Sequence, residues 1–414
     1  MNITILTQYY PPETGAPQNR LSDLALQLKN AGHEITVLTA MPNYPQNEIH
    51  DNYKGKYFIS ESINEIIILR SWIYVGKSRS VIPRLFNYFS FVVSSFIWGI
   101  LKLKKQDVII CESPPLFLGI TGWLLSVFKK SKFVFNISDL WPESAEKLGV
   151  ITNKTLLKMA ERLELFLYKK SFLITGQTQG IVQNIKERTQ LNNLHWMPNG
   201  ISEETLQLNF KKSDCRKVFQ LPESAFVLSY AGVIGHAQGL EVILNAATEL
   251  QQKDIIFVIC GDGPELNNLK ILAHSLQLNN IVFTGPVRKT DALQLVAASD
   301  AAIIPLKKID LFKGAIPSKI FENCAMSKPI LLGVDGEAKE LFINEAQAGI
   351  YFEPENSLSL ATAIKQLYEN PSLKNQLGEN GKHFVINKFS RKQIALDFLE
   401  AVDTKIKMSS IKVS

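Results

Sequence analysis

Three short stretches in the second half of the chain hold residues whose types and spacing suit anion chemistry. The first, YAGVIGHAQGLE at 230–241, sets Gly232, Gly235 and Gly239 between an apolar run and a helix-like segment. Glycine lets a backbone approach a phosphate closely, and a following helix start offers free amides and partial positive charge. This loop is neither a G-x-G-x-x-G fingerprint nor a lysine-bearing P-loop, so it is a weak signal by itself. The second stretch, CGDGPELNNL at 260–269, repeats the order of strand, glycines (Gly261 and Gly263) and helix, although Gly-Asp-Gly-Pro-Glu also reads as a plain tight turn. In the third, KGAIPSKIFENCAMSKPIL at 313–331, Ser318 is placed to cap a helix whose first turn carries Lys319, with Glu322 one turn on. A lysine there opposes the helix dipole and asks for a partner such as phosphate, unless it is simply solvated. Glu322 either accepts hydrogen bonds from ribose hydroxyls or lies on the surface.

The first half offers two candidates. NISDLWPES, 136–144, sets Asp139 at the carboxyl end of an apolar strand, where open α/β sheets bind ligands. Asp139 is read there as an acid/base or orienting group, or else as the cap of a turn before Pro142. In YYPPETGAPQNR, Gly15 follows the first strand and precedes a helix, a position from which it would approach a diphosphate from the opposite lobe. No D-x-D and no histidine–carboxylate cluster at metal spacing occurs, so helix ends and cations are expected to neutralise the diphosphate. Cys111, Cys215, Cys260 and Cys324 are too scattered for a zinc site and read as core residues in a reducing cytoplasm. The absence of a G-x-S-x-G elbow removes the commonest hydrolase reading.

These residues need a scaffold, and 414 residues favour two domains. With 46% hydrophobic and 20% charged residues, disordered and fibrous classes drop out, and a net charge of +6 without arginine-rich runs makes nucleic acid an unexpected partner. Strand-length apolar runs alternate with amphipathic segments: NITILTQ, SDLALQLKNAG closed by Gly32, HEITVLTA, then strands near 107–111, 133–137 and 172–175. After a polar lapse at 201–212 a second series begins, with FVLSYAG, IIFVICGDGP, IVFTGPV and AAIIPL. The rhythm predicts two parallel, doubly wound sheets, whose crevices beyond the strand ends would face each other across one cleft. The expected boundaries are 1–205, 206–388, and a last helix within 389–414 crossing back to the first domain. MNITILTQYYPP reads as a first strand rather than a signal peptide. Two stretches, 85–101 and 114–128, are unusually apolar and end in lysines. Both are shorter than the ~20 residues of a spanning helix, which leaves a surface dipping into an anionic membrane or gripping a lipid tail, or a helix buried against the sheet.

Taken together, YYPPETGAPQNR, AGHEITVLT, MPNGI, GVIGHAQG, GDGPE, FTGPV and PSKIFENCAMSKPI resemble the family 4 retaining glycosyltransferases of the GT-B fold, over nearly the whole chain. The resemblance implies an α/β GT-B architecture of two Rossmann-like domains facing a central cleft, the first binding acceptor and the second a nucleotide-sugar. It implies Lys319 and Asp139 as catalytic residues, and Gly15, Gly232, Gly235, His236, Gln238, Gly261, Arg288, Ser318 and Glu322 around the donor, with no metal and no cofactor beyond a UDP-sugar. Three departures stand out. Val233 and Gln238 occupy places where many members carry arginine and lysine, which leaves His236, Arg288 and Lys319 to supply charge. Of two glutamates spaced eight apart, Glu322 matches the second and Gly314 replaces the first. Ser138 and Asp139 stand where many relatives have His-Asp. DLWPES, AQG and PSKIFE look like the branch that moves N-acetylated deoxy-sugars such as N-acetylfucosamine from UDP to polyprenol-linked glycans, for O-antigen, capsule or lipopolysaccharide. This implies a peripheral protein on the inner face of a bacterial cytoplasmic membrane. The rival readings are a UDP-sugar 2-epimerase of the same fold and a catalytically idle homologue that binds membrane or a partner.

Overall fold

The computed structural model describes residues 1–44, 47–76, 81–147, 149, 151–251 and 254–411. The chain forms two compact units, Met1–Asn199 with Arg391–Ser414, and Gly200–Ser390. In the first, strands β1 (Asn2–Leu6), β2 (Glu34–Ala40), β3 (Phe58–Ile63), β4 (Ile66–Ser71), β5 (Val108–Ser113), β6 (Lys132–Ile137), β7 (Leu173–Gly176) and β8 (Leu194–Trp196) lie in the order β3-β4-β2-β1-β5-β6-β7-β8. All adjacent pairs among the described residues are parallel except β3 and β4. The expected parallel sheet therefore ends in an antiparallel hairpin. Its two-residue turn, Asn64 and Glu65, has positive φ at both positions (51° and 58°), which matches the twist of a hairpin but lacks the Asn-Gly signal that reveals one in sequence.

Helix α1 (Ala16–Asn30) starts with proline in its first turn and is followed by Gly32 at φ 86°. Its Leu21, Leu24 and Leu28 share a core with Ile394, Phe398, Leu399 and Val402 of the last helix, Arg391–Ile411. Arg391 adds a hydrogen bond of 3.1 Å to Asn199 and approaches Asp23 at 3.6 Å. This helix thus completes the first unit.

The two apolar stretches have different fates. Helix α2 (Val81–Lys102) bonds one face to the sheet, through Asn87 to Gln8 (2.9 Å) and Tyr74 (2.7 Å) and through Ser94 to Trp72. Only 22% of Leu85–Lys102 is buried, and Phe86, Phe89, Val93, Ile97 and Leu101 form an exposed stripe at helical spacing. Helix α3 (Leu118–Lys129) is instead a core helix, exposing only Val127 and Phe128 among its large apolar residues. Trp98 stacks on Phe58 (4.3 Å) and Trp123 meets Phe166 edge to face (4.8 Å), so both rings are spent on contacts within the unit. Downstream, α4 (Glu143–Lys147) follows β6, and α5 (Lys154–Lys170) is capped by the Asn153 side chain.

The second unit has β9 (Phe226–Ala231), β10 (Ile255–Cys260), β11 (Ile281–Gly285), β12 (Ala301–Pro305), β13 (Ile330–Gly333) and β14 (Gly349–Tyr351), all parallel, in the order β11-β10-β9-β12-β13-β14. Along β9, Phe226, Leu228 and Tyr230 enter one apolar core and Val227 the opposite one, as a strand covered on both faces requires. The order reverses between β9 and β12, so the crevice of this unit opens beyond the ends of β9, β10 and β12.

Candidate functional site

At that reversal the two glycine loops stack directly on each other. Gly232 N donates to Cys260 O (2.9 Å), Ile234 N to Asp262 O (2.8 Å), and Glu265 N to Ile234 O (3.1 Å). A Cβ on Gly261 would lie 1.8 Å from Gly232 O, at a φ of 140° that side chains rarely adopt. The sequence reading assigns Gly261 to the ligand; the structure gives its missing side chain a different reason, the close approach of the neighbouring loop.

Lys319 is brought to the same place by the helix Lys319–Ala325. Its Nζ sits 3.7 Å from the centroid of the Tyr230 ring and 2.9 Å from where a Cβ on Gly232 would be. By surface area the residue is only partly buried, yet its amine is enclosed by protein. Burial pushes its pKa down to about 7, with Glu322 pulling the other way. Among the described residues Lys319 has no carboxylate in salt-bridge range. An amine held half-neutral over an aromatic face, beside backbone bared by glycine, is suited to gain a proton when an anion arrives. Tyr230 fixes the loop from below by donating its hydroxyl to Val233 O (2.5 Å).

The remaining candidates divide. Gly235 N donates to Gln238 Oε1 (3.2 Å), so Gln238, in the place of a basic residue, closes the loop on itself. Ser318 occupies the expected position before the helix, but its backbone is already helical (φ −58°, ψ −29°) and its side chain caps nothing, a correction to the capping role. Arg288, expected to supply charge, stands away from the glycine loops with a partner of its own. Its guanidinium is 83% exposed and forks onto Asp291 at 2.9 and 3.0 Å, at the start of the helix Lys289–Ala298 beyond edge strand β11. A basic residue that the sequence reading missed does reach the loop. Lys307, two residues past β12, holds its Nζ 3.0 and 3.2 Å from the two ring nitrogens of His236. Its position just beyond an all-apolar strand end was the available signal.

In the first unit, the strand ends carry a buried polar network that sequence inspection also missed. Arg20 of α1 donates through Nη2 to Glu112 Oε1 (2.5 Å) and Ser138 Oγ (2.6 Å). Asn136 bonds Glu112 Oε2, and Thr175 reaches Asn136 Oδ1 at 2.6 Å. A glutamate closing an apolar strand, in VIICES, was its visible trace. Asp139 follows this network. It is exposed, and desolvation by its surroundings pushes its pKa up, opposed by the nearby Ser144 hydroxyl and Leu140 N–H. Gly15 lies at the N-terminus of α1, where a Cβ would fall 2.5 Å from Gln18 Oε1, so the glycine also makes room for a side chain of its own helix. The loop before it is pinned by buried Glu13, which accepts the N–H groups of Asn43 and Tyr44 (2.8 Å each) and Tyr10 (3.2 Å).

Residues 211–384, which include both glycine loops, Lys307 and Lys319, match the family described as glycosyl transferases group 1. The chain is 27% identical over 376 residues to the putative colanic acid biosynthesis glycosyl transferase WcaI of Escherichia coli K12, covering 88% of this chain and 92% of that one. Among solved structures, sucrose-phosphate synthase from Thermosynechococcus elongatus superposes with a TM-score of 0.77 at 16% identity, over 98% of this chain and 99% of that one. Anabaena HepE, solved in complex with UDP and glucose, gives 0.72 at 17% identity over 97% and 99%. The fold is GT-B, and the chain is a homologue of bacterial polysaccharide glycosyltransferases.

Proposed function

We propose that this homologue of the group 1 glycosyl transferases moves a sugar from a UDP-sugar, with retention, to a polyprenol-linked glycan of a bacterial surface polysaccharide. The observation that carries the reading is the Lys319 amine, 3.7 Å from the centroid of the Tyr230 ring and beside the stacked glycine loops, at the switch point of a unit matching that family. In this reading the diphosphate of the donor lies on the Gly232 loop. Lys319 takes up a proton as it binds and stabilises the charge that develops as the sugar leaves. Glu322 faces the donor from the next helical turn. The choice of UDP is supported by HepE, and that of an N-acetylated deoxy-sugar such as N-acetylfucosamine by DLWPES, AQG and PSKIFE. The reaction is proposed to need no metal.

Thermal unfolding with UDP, GDP, ADP or no nucleotide tests the donor. Stabilisation by UDP alone is expected, about 2.7 kcal/mol when the ligand is at 100 times its dissociation constant. Stabilisation by GDP instead would replace UDP in the proposal, and no stabilisation by any of them would favour the idle homologue. Release of a 2-epimer from a UDP-sugar without acceptor would favour the epimerase.

The acceptor side is proposed to lie on a membrane. Helix α2 is long and apolar enough to cross one by length and composition, but its bonds to Gln8 and Trp72 keep one face on the sheet. We therefore read it as lying in the interface, with its Phe86–Leu101 stripe inward and exposed Lys102, Lys104, Lys105 and Lys130 meeting anionic headgroups. Replacing Phe86 and Leu101 together by serine is expected to lower binding to phosphatidylglycerol-containing vesicles by about 10-fold or more, because each removes a side chain's worth of apolar burial. Co-sedimentation unchanged from wild type would remove the stripe from the proposal.

A further inference from the structure

The loop Gly232–Gly239 carries no lysine or arginine of its own, yet the fold brings two lysines to its opposite ends. Lys319 serves the Gly232 end. At the other, Lys307 is tied to the loop at three levels: its N–H donates to Ala237 O (3.0 Å), its Cγ would stand 3.1 Å from a Cβ on Gly239, and its Nζ meets His236. Gly239, at φ 57°, is the point where the lysine stem passes over the loop.

Charge pairing separates Lys307 from its neighbours. A cavity of about 110 Å³ is lined by Lys307, Lys308 and Lys313 together with Asp310 and Asp335. Lys308 is paired with Glu353 (2.7 Å) and Lys313 with Asp310 (2.8 Å). Among the described residues Lys307 has no carboxylate in range and rests only on an imidazole. An ammonium with a histidine as its one polar side-chain partner retains most of its capacity to bind an anion, because imidazole does not cancel its charge.

We infer that Lys307 and His236 form the second cationic pole of the anion site, standing in for the basic residues that the loop lacks at Val233 and Gln238. The inference rests on the proposed donor site. Its ligand class is a nucleoside diphosphate, free or carrying a sugar, one phosphoryl group served from the Lys319 end and the other from the Lys307 end. The device differs from a P-loop in that both cations reach the loop from elsewhere in the chain, one from the end of β12 and one from the following helix.

Isothermal titration of the full chain with UDP, UMP and uridine tests this. Lys307→Ala is expected to weaken UDP binding by about 10-fold or more, the usual worth of a charge-assisted hydrogen bond. Uridine binding is expected to be unchanged and UMP to fall between, while Lys307→Arg restores UDP affinity. His236→Ala should produce a smaller loss in the same order. Equal weakening of UDP and uridine by Lys307→Ala would reveal a loop distortion and overturn the inference, as would unchanged UDP affinity. If wild-type protein binds none of the three, the donor-site reading itself fails; if it binds UDP and only the variant result is negative, the donor site stands without Lys307.

Discussion

Lys319→Met is expected to lower sugar transfer by about 100-fold or more while leaving the unliganded protein as stable as wild type, or more so. The first half follows from the proposed donor site: on that reading the amine beside Gly232 stands where the leaving diphosphate gathers charge, and removal of one such electrostatic donor commonly costs 10²–10³ in turnover. The second follows from burial. A lysine whose pKa is pushed down to about 7 is held in its site against its preference for water, so an apolar side chain of similar length relieves an unfavourable term. Loss of turnover together with a lower melting temperature would point to a structural lysine, and unchanged turnover would remove the catalytic role.

The same lysine predicts a pH signature. Free protein has Lys319 largely neutral above pH 7, and an anion beside it returns the pKa toward the ordinary lysine range. Binding above pH 7 therefore takes up a proton, and UDP affinity should fall as pH rises, by up to about 10-fold per unit. Calorimetry in buffers of different ionisation enthalpy reads the uptake directly, and Lys319→Met should abolish it. Proton uptake that persists in the variant would assign the linkage to another group.

The second large effect concerns stability. Asp300, buried just before β12, accepts Lys212 (2.6 Å) and Lys374 (2.9 Å) on one oxygen, and Arg216 (2.8 Å) and Val227 N (2.9 Å) on the other. It gathers the helices Lys212–Val218 and Pro371–Lys388 onto the start of β9 and β12. Burial alone would raise its pKa, but those bonds, Lys212's foremost, hold it down at about 2. Asp300→Ala leaves three cations facing one another around an empty position, and is expected to destabilise the second unit by about 3–5 kcal/mol. Denaturant unfolding followed by a probe in that unit measures this, since two units need not unfold together. The pH dependence has a definite sign. A carboxylate with a depressed folded pKa contributes stability above its unfolded value near 3.8, and that contribution is lost as pH falls toward 2. The variant should therefore show a shallower loss of stability across that window. A cost below 1 kcal/mol would mean that the cluster is replaceable.

The alternation of apolar runs and amphipathic segments specified both sheets, because a parallel strand covered on two faces has to be apolar throughout and a crossover helix has to show one apolar stripe. It also placed the glycine loops and Asp139 at strand ends, since the carboxyl edge of such a sheet is the one place where its loops can gather. The short strands β8 and β14, three residues each, were illegible because so few positions carry no periodicity. The β3–β4 hairpin was missed for want of its usual turn residues.

What the sequence alone could not decide was partnership across distance. Arg288 and Lys307 are both cations just after a strand, and nothing local distinguishes them. Only the order of strands does, because β11 is an edge strand and β12 lies next to β9, so Lys307 meets the glycine loop and Arg288 meets its own Asp291. The same holds for the Arg20–Glu112–Ser138 network, whose members lie 92 and 118 residues apart from Arg20 and are brought together by α1 crossing the ends of β5 and β6. Local pattern determined the elements and the edge on which chemistry gathers. The pairing of charges on that edge was fixed by sheet topology, because Coulomb and hydrogen-bond energies act over a few ångströms of space and are indifferent to separation along the chain.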